Sequence, residues 1–308
     1  MKKKIVVFGS FVVDLMGRGP HLPVPGETVK SGFFKMGAGG KGFNQGVAAH
    51  KSGGDVTMIT KLGKDTFAEI ALGTMRELGM DTSRVIQTEE YATGVALIEV
   101  DENSGQNAIM VIPSACDRIS DAEVAALKEV IEGADILLTQ LETNMSSIKG
   151  VIDMAHAAGK TIILNTAPVQ PVEDALLSKV TIVTPNEVEA SILTGVKVVD
   201  EQSAAQAADW FFQRGVKKVV ITMGGMGAYV ADGTRAELTP AFRVNAIDTT
   251  GAGDAFFAGT VIGLTYGKTL AESCEIGSRL AASVICITEN VCPRFRPLEF
   301  GLDVPVVD

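Results

Sequence analysis

The chain is short of the features that mark several large function classes. Its four cysteines, Cys116, Cys274, Cys286 and Cys292, form no CxxC pair and keep no histidine-rich company, which argues against a zinc site or a disulfide framework. His21, His50 and His156 share no metal-ligand spacing. Positive charge is in deficit: 27 Lys and Arg against 37 Asp and Glu leave a formal charge of −10, which argues against broad nucleic-acid or anionic-membrane binding. No apolar run approaches bilayer length, and no fixed-period repeat or low-complexity tract is visible. Met1-Lys2-Lys3-Lys4 before Ile5-Val6-Val7-Phe8 looks like a secretory start only until Gly9-Ser10 interrupts it, Asp14 follows and no small-x-small cleavage site appears. A cytoplasmic protein with reduced thiols, a small-molecule partner and neither nucleic-acid nor membrane partners is expected.

What is present is a large supply of apolar side chains, 46% of 308 residues, enough for a substantial core. From about residue 120 onward, helix-like stretches alternate with short β-branched runs such as Ile136 to Gln140, Thr161 to Asn165 and Lys218 to Thr222. Repeated βα units imply a mostly parallel sheet covered by helices on both faces, an α/β fold. The N-terminal third departs from that rhythm. Short alternating segments between Leu15 and Met36, and between Thr93 and Ile112, are punctuated by Pro23, Pro25, Gly26, Gly32 and Gly105. They predict antiparallel strands forming a small β lid, roughly 15–36 and 93–112, in a single unit spanning 1–308.

The segment Asp248-Thr249-Thr250-Gly251-Ala252-Gly253-Asp254 precedes the apolar helical run Ala255 to Ile262. A small-residue turn that opens a helix aims free backbone N–H groups outward and suits an anion. That combination suits phosphoryl transfer to a hydroxyl, in which backbone amides stabilise charge on the moving group and Asp254 is the expected proton acceptor; a plain glycine turn with Asp254 as a helix-start charge is the alternative. A second glycine-rich segment, Gly37-Ala38-Gly39-Gly40-Lys41-Gly42-Phe43-Asn44-Gln45-Gly46, contains GxGxxG but lies more than twenty residues after the first strand, which argues against a dinucleotide fingerprint. Lys41 is followed by Gly42, so the segment is not a Walker P-loop. Polyol recognition is the better physical use: glycines admit a sugar close to the backbone while Lys41 and Asn44 supply hydrogen-bonding groups.

Taken together, Gly39 to Gln45 and Asp248 to Asp254 resemble the two signatures of the PfkB carbohydrate kinase family, and the chain is most similar to its ribokinase branch. Intermediate landmarks include Gly9-Ser10 with Asp14, Gln140-Leu141-Glu142, Leu164-Asn165-Thr166-Ala167-Pro168, Thr184-Pro185-Asn186-Glu187-Val188-Glu189 and Thr222-Met223-Gly224-Gly225-Met226-Gly227. The resemblance implies a ribokinase-like three-layer α/β/α core and ATP-dependent phosphorylation of a pentose-like sugar such as ribose or 2-deoxyribose. It places Asp14, Gly39, Gly40, Asn44 and Glu142 on the sugar, with Lys41 at the pocket mouth, Asp254 as base and the Gly251, Ala252 and Gly253 amides as the anion hole. It implies Asn186 and Glu189 near magnesium and the phosphates through water, and Thr222, Gly224 and Gly227 at the nucleotide. Asp248 and the Thr250 carbonyl correspond to a potassium position, although residues 289–295 lack the expected glycine and small hydroxyl. A homodimer formed through the lid is implied as well, since such a sheet has edges to cover.

Two positions depart from the ribokinase pattern. Val12 stands where an asparagine usually precedes the sugar-binding aspartate by two residues, resembling deoxyribokinases, and Cys116 stands where a Gly-Ala-Asn turn usually carries its asparagine. A nucleoside or sugar-phosphate kinase of the same fold, a non-catalytic sugar-binding protein and an NAD-dependent oxidoreductase remain as alternative readings.

Overall fold

The computed structural model describes residues 2–246 and 249–286. Its first half runs β1 (Lys4–Phe8), β2 (Val12–Gly19), β3 (Phe33–Gly39), α1 (Lys41–Lys51), β4 (Asp55–Ile59), β5 (Lys61–Gly63), α2 (Ala68–Glu77), β6 (Ile86–Thr88), β7 (Gly94–Asp101) and β8 (Asn107–Ile112). The α/β alternation follows: α3 (Asp121–Ala125), α4 (Lys128–Glu132), β9 (Ile136–Gln140), α5 (Met145–Ala157), β10 (Thr161–Asn165), α6 (Asp174–Leu177), β11 (Ile182–Val183), α7 (Glu187–Thr194), α8 (Glu201–Gln213) and β12 (Lys218–Thr222). It closes with β13 (Ala228–Ala231), β14 (Ala236–Thr239), α9 (Ala252–Thr265) and α10 (Leu270–Ile285).

Eight strands form the main sheet in the order β14-β13-β12-β11-β10-β9-β1-β4. From β4 to β12 the pairings are parallel, and β13 and β14 add an antiparallel edge. Burial on both faces explains why these strands read as unbroken apolar runs. In β1, Ile5 and Val7 enter one core with α1, α2, α9 and α10, while Val6 and Phe8 enter the other with α5 and α8. The expected three-layer α/β/α arrangement is therefore present. Among the described residues, no helix is long and apolar enough to cross a membrane.

The small sheet has the order β3-β2-β7-β8. Its β2–β3 and β7–β8 pairs are antiparallel as expected, but β2 pairs with β7 in parallel. The reason is topological: α1, β4 and α2 return the chain to the core between them, so β2 and β7 leave the core in the same direction. The strands also run deeper than the hydrophobic alternation suggests. The pairing Val12↔Gly39 carries the sheet down to the functional segments, so Val12, Asp14 and Gly39 are themselves strand residues.

Candidate active site

At the start of α1 the chain makes a turn that only glycine accepts comfortably. Gly40 has φ 90°, and a Cβ there would sit 2.9 Å from Phe11 Cα, Ser10 O and Val12 N. The first helical amide, Lys41 N–H, donates to Glu142 Oε2 at 2.8 Å, and Ser10 Oγ donates to the same oxygen. Glu142, which follows β9, thus places an anion at a helix N-terminus, where the dipole favours it. Gly39 lies directly behind Asp14, since a Cβ at Gly39 would come within 2.3 Å of Asp14 Oδ1.

The second segment opens α9 through Gly251, in the left-handed region at φ 78°, and puts Asp254 at the third helical position. The helix is buried on all sides from Asp254 to Gly263, so a carboxylate in its first turn is carried into the interior. Asp254 is only 8% exposed. Asn44 Nδ2 donates to its Oδ2 at 3.0 Å, and Gln45 Nε2 donates to its Oδ1 at 3.0 Å. Two successive α1 residues therefore hold the two oxygens of one acid. Of the proposed anion-hole amides, Ala252 N–H donates to Thr249 O at 3.1 Å.

These segments meet around a cavity of about 640 Å³. Its walls include Asp14, Gly40, Lys41, Asn44, Glu142, Thr250, Gly251 and Asp254, together with Val12. The lid contributes an apolar wall of Ala96, Ile98, Ile109 and Val111. Gly39, Ala252 and Gly253 are not among the lining residues: Gly39 is buried, Ala252 half-buried and Gly253 exposed.

Four carboxylates, Asp14, Asp117, Glu142 and Asp254, share this space with one ammonium, Lys41. Burial pushes the Asp14 carboxyl up to about 7, and the charges of Glu142 and Asp254 push in the same direction. Burial also holds Asp254 above its ordinary range, reinforced by Glu142 and opposed by Lys41 and the Gln45 and Asn44 hydrogen bonds. For Lys41, burial acts against the charge, yet Asp254, Glu142 and Glu189 outweigh it and keep the ammonium above its usual value. The cavity thus attracts cationic or hydrogen-bond-donating ligands and retains a cation beside the base.

A second group lies outside that cavity. Asn186 caps α7: its Oδ1 accepts from Glu189 N–H at 2.8 Å, while Glu189 Oε2 accepts from Asn186 N–H and Thr166 Oγ1, both at 3.1 Å. Glu189 Oε1 accepts from Asn186 Nδ2 at 2.9 Å. A β-bridge joins Asn186 to Thr222, which brings the Gly224 and Gly227 turn alongside the N-terminus of α7. Glu189 connects this group to the first through its field on Lys41. No cluster of three His, Cys, Asp or Glu ligands occurs among the described residues. With one carboxylate whose oxygens already accept protein hydrogens, this donor set fits a hydrated magnesium ion held through water rather than a direct cage. Asp248 lies outside the described residues, as does the segment 289–295, and Thr250 stands at the cavity wall.

Cys116 is corrected by its position. It is fully buried, does not line the cavity, and its Sγ joins Phe11 N–H and C=O to the Lys61 carbonyl at 3.2–3.3 Å. It braces the loop before Val12 rather than facing a ligand. The motif reading named Gln45, Gln140 and Asn165 only as landmarks and gave them no role, whereas the structure links these buried residues in a hydrogen-bonded chain that ends on Asp254. The signal for them was an amide in an otherwise apolar context, twice as the last residue of a core strand.

A three-layer α/β core with a small lid, and a buried acid at a helix start facing a polar cavity, define a kinase that works on small hydroxylated molecules. The chain belongs to the pfkB family carbohydrate kinases, whose profile matches residues 2–289. It is 37% identical over 305 residues to a ribokinase of Haemophilus influenzae, covering 97% of this chain and 99% of that one. It is 36% identical over 253 residues to a deoxyribokinase of Salmonella typhi, covering 82% of each. The solved structure of Arabidopsis thaliana ribokinase complexed with ribose and ATP is similar with a TM-score of 0.87 at 26% identity, covering 96% of both chains. The protein is a sugar kinase.

Proposed function

We propose that the chain transfers the γ-phosphoryl group of ATP to a hydroxyl of a pentose-like sugar, with Asp254 accepting the hydroxyl proton as ADP leaves. The observation that carries this reading is the convergence on one cavity of the buried Asp254 and the sugar-side candidates Asp14, Gly40, Lys41 and Asn44, with Asn44 and Gln45 holding the two oxygens of the acid. Asp14 accepts sugar hydroxyl hydrogens, and the Gly251 to Gly253 turn with Lys41 faces the charge that builds on the phosphoryl group. Glu142 serves the sugar through the wall it helps to build, since one of its oxygens caps α1. Asn186 and Glu189 would hold hydrated magnesium, which supplies charge neutralisation on the phosphates, and Thr222, Gly224 and Gly227 would border the nucleotide. Asp248 and Thr250 would hold a potassium ion.

Among the described lining residues there is no aromatic side chain and a single cation, Lys41, which favours a free sugar over a nucleoside or a sugar phosphate. Val12 is an apolar part of the wall, and a wall without an amide there weakens discrimination for a hydroxyl that ribose has and 2-deoxyribose lacks. The test is ADP release across ribose, 2-deoxyribose, other pentoses, hexoses, ketoses and nucleosides, with magnesium, and with potassium or a bulky organic cation. Release driven only by nucleosides counts against the reading, and equal rates in both monovalent salts remove the potassium site. Val12→Asn is expected to raise the ribose-to-deoxyribose ratio of kcat/KM by about tenfold, and an unchanged ratio removes Val12 as the discriminating residue.

The outer face of the lid carries a cross-strand row of Met36, Leu15, Leu97 and Met110, with Phe34 beside it. Phe34 is 69% and Met110 63% exposed, a patch of the kind that pairs with a second copy. The expected state is a homodimer through the lids. Sedimentation should give a dimer mass for the wild type and a monomer for Met110→Glu with Leu97→Glu, and a monomeric wild type contradicts the interface.

A further inference from the structure

Asp254 is reached by a chain of buried amides. Gln45 Nε2 donates both to Asp254 Oδ1 at 3.0 Å and to Asn165 Oδ1 at 3.2 Å, while Gln45 Oε1 accepts from Gln140 Nε2 at 2.7 Å. Asn165 Nδ2 in turn donates to the Thr184 backbone carbonyl at 2.8 Å. That last contact sets the polarity of the whole chain. A backbone carbonyl only accepts, so Asn165 must turn Nδ2 toward Thr184 and Oδ1 toward Gln45. Gln45 must then present Nε2, whose second hydrogen falls on Asp254. Gln140 donates to Oε1 from the other side, and since its own Oε1 has no partner it follows the orientation that Asn165 sets. A flipped Gln45 would set a carbonyl against the carboxylate.

Gln45, Gln140 and Asn165 are each at most 2% exposed, and none lines the cavity. They cannot touch a sugar directly. Gln45 and Asn44 together give each oxygen of Asp254 one amide hydrogen, which leaves lone-pair capacity on each for the substrate.

We propose that Gln45 and Asn165, with Gln140 donating to Gln45, form a directional amide relay anchored on the Thr184 carbonyl that fixes the orientation of the Asp254 carboxylate. The proposal rests on the reading of Asp254 as the base, and the three amides are positioning residues for its proton transfer. The relay also works against the environment of the acid. Burial and Glu142 favour its neutral form, Lys41 with the Gln45 and Asn44 hydrogen bonds favours the carboxylate, and the Asp14 charge is coupled to it across the cavity.

Gln45→Met keeps the volume and removes both donors, and Asn165→Leu cuts the relay one residue further away. Two measurements read the result: titration of the Asp254 side-chain carboxyl by carbon NMR, assigned with Asp254→Asn, and the pH profiles of kcat and KM. Both variants are expected to raise the Asp254 midpoint and move the acid limb of kcat to higher pH. At neutral pH kcat should fall roughly ten- to hundredfold, the range for a lost hydrogen bond to a charged group, with sugar KM within about twofold. Should Gln45→Met fail to fold, Asn165→Leu alone carries the test, since it leaves Gln45 in place and removes only the contact that sets its orientation. A folded variant with an unchanged midpoint and an unchanged kcat profile overturns the relay, whatever its melting temperature. Because the carboxyl titration needs no turnover, that outcome is separate from the failure of the base, which shows as full turnover in Asp254→Asn.

Discussion

Asp254→Asn is expected to lower turnover by about a thousandfold or more, while the affinity for ATP, measured by calorimetry, stays within about threefold of wild type. The amide cannot take the hydroxyl proton, and the other lining carboxylates belong to other parts of the wall: Asp14 to the lid strand β2, Asp117 to the turn after β8, and Glu142 to the start of α1, which it caps. Nucleotide affinity is expected to survive because the proposed nucleotide residues Asn186, Thr222 and the Gly224 turn lie outside the cavity that Asp254 faces. Stability should change little, because two effects oppose. Asparagine removes a buried charge, yet it offers one acceptor where Asn44 and Gln45 need two, which leaves one donor unpaired at a cost of about 1–3 kcal/mol. Near-normal turnover in this variant would remove Asp254 as base.

The second large effect concerns Asp14, whose carboxyl is pushed up to about 7 by burial and by the neighbouring Glu142 and Asp254 charges. Its folded-state value lies above the unfolded one, so its contribution to stability is fully present below about pH 4 and is lost as pH rises through about 7. Above that range the apo protein carries an unfavourable carboxylate that sugar hydroxyls would satisfy. Asp14→Asn is therefore expected to make the sugar-free protein more stable at pH 8, by about 4 kcal/mol as an upper bound, and to flatten the fall of melting temperature between pH 4 and 8. The same change should raise the sugar KM by about a hundredfold, because a neutral amide accepts fewer hydroxyl hydrogens and does so without charge. In the wild type, KM should fall as pH rises through about 7. A variant that loses stability at pH 8, or binds sugar as tightly as wild type, would show that Asp14 is not held as described.

How far the sequence could be read follows from the range of each contact. The core strands were legible because burial on both faces leaves unbroken apolar runs, as in Ile136 to Leu138. Asp254 was legible because its turn, its acid and its helix are contiguous. The direction of the β2–β7 pairing was not, since it depends on where α1, β4 and α2 return the chain. Nor was the cap that Glu142 places on Lys41, a contact 101 residues apart. The amide relay draws on α1, β9 and β10, and each amide looks unremarkable in its own segment. Cys116 shows the opposite error: a position next to the expected turn turned out to face the scaffold, which leaves Val12 as the altered residue on the cavity wall.

The most direct test of the whole account is phosphorus NMR of the wild-type protein with magnesium, ATP and either ribose or 2-deoxyribose. The account predicts that the γ-phosphorus signal of ATP is replaced, only when sugar is present, by ADP and one new phosphomonoester coupled to a sugar proton. Appearance of inorganic phosphate alone, or no consumption of ATP with any pentose, would contradict it.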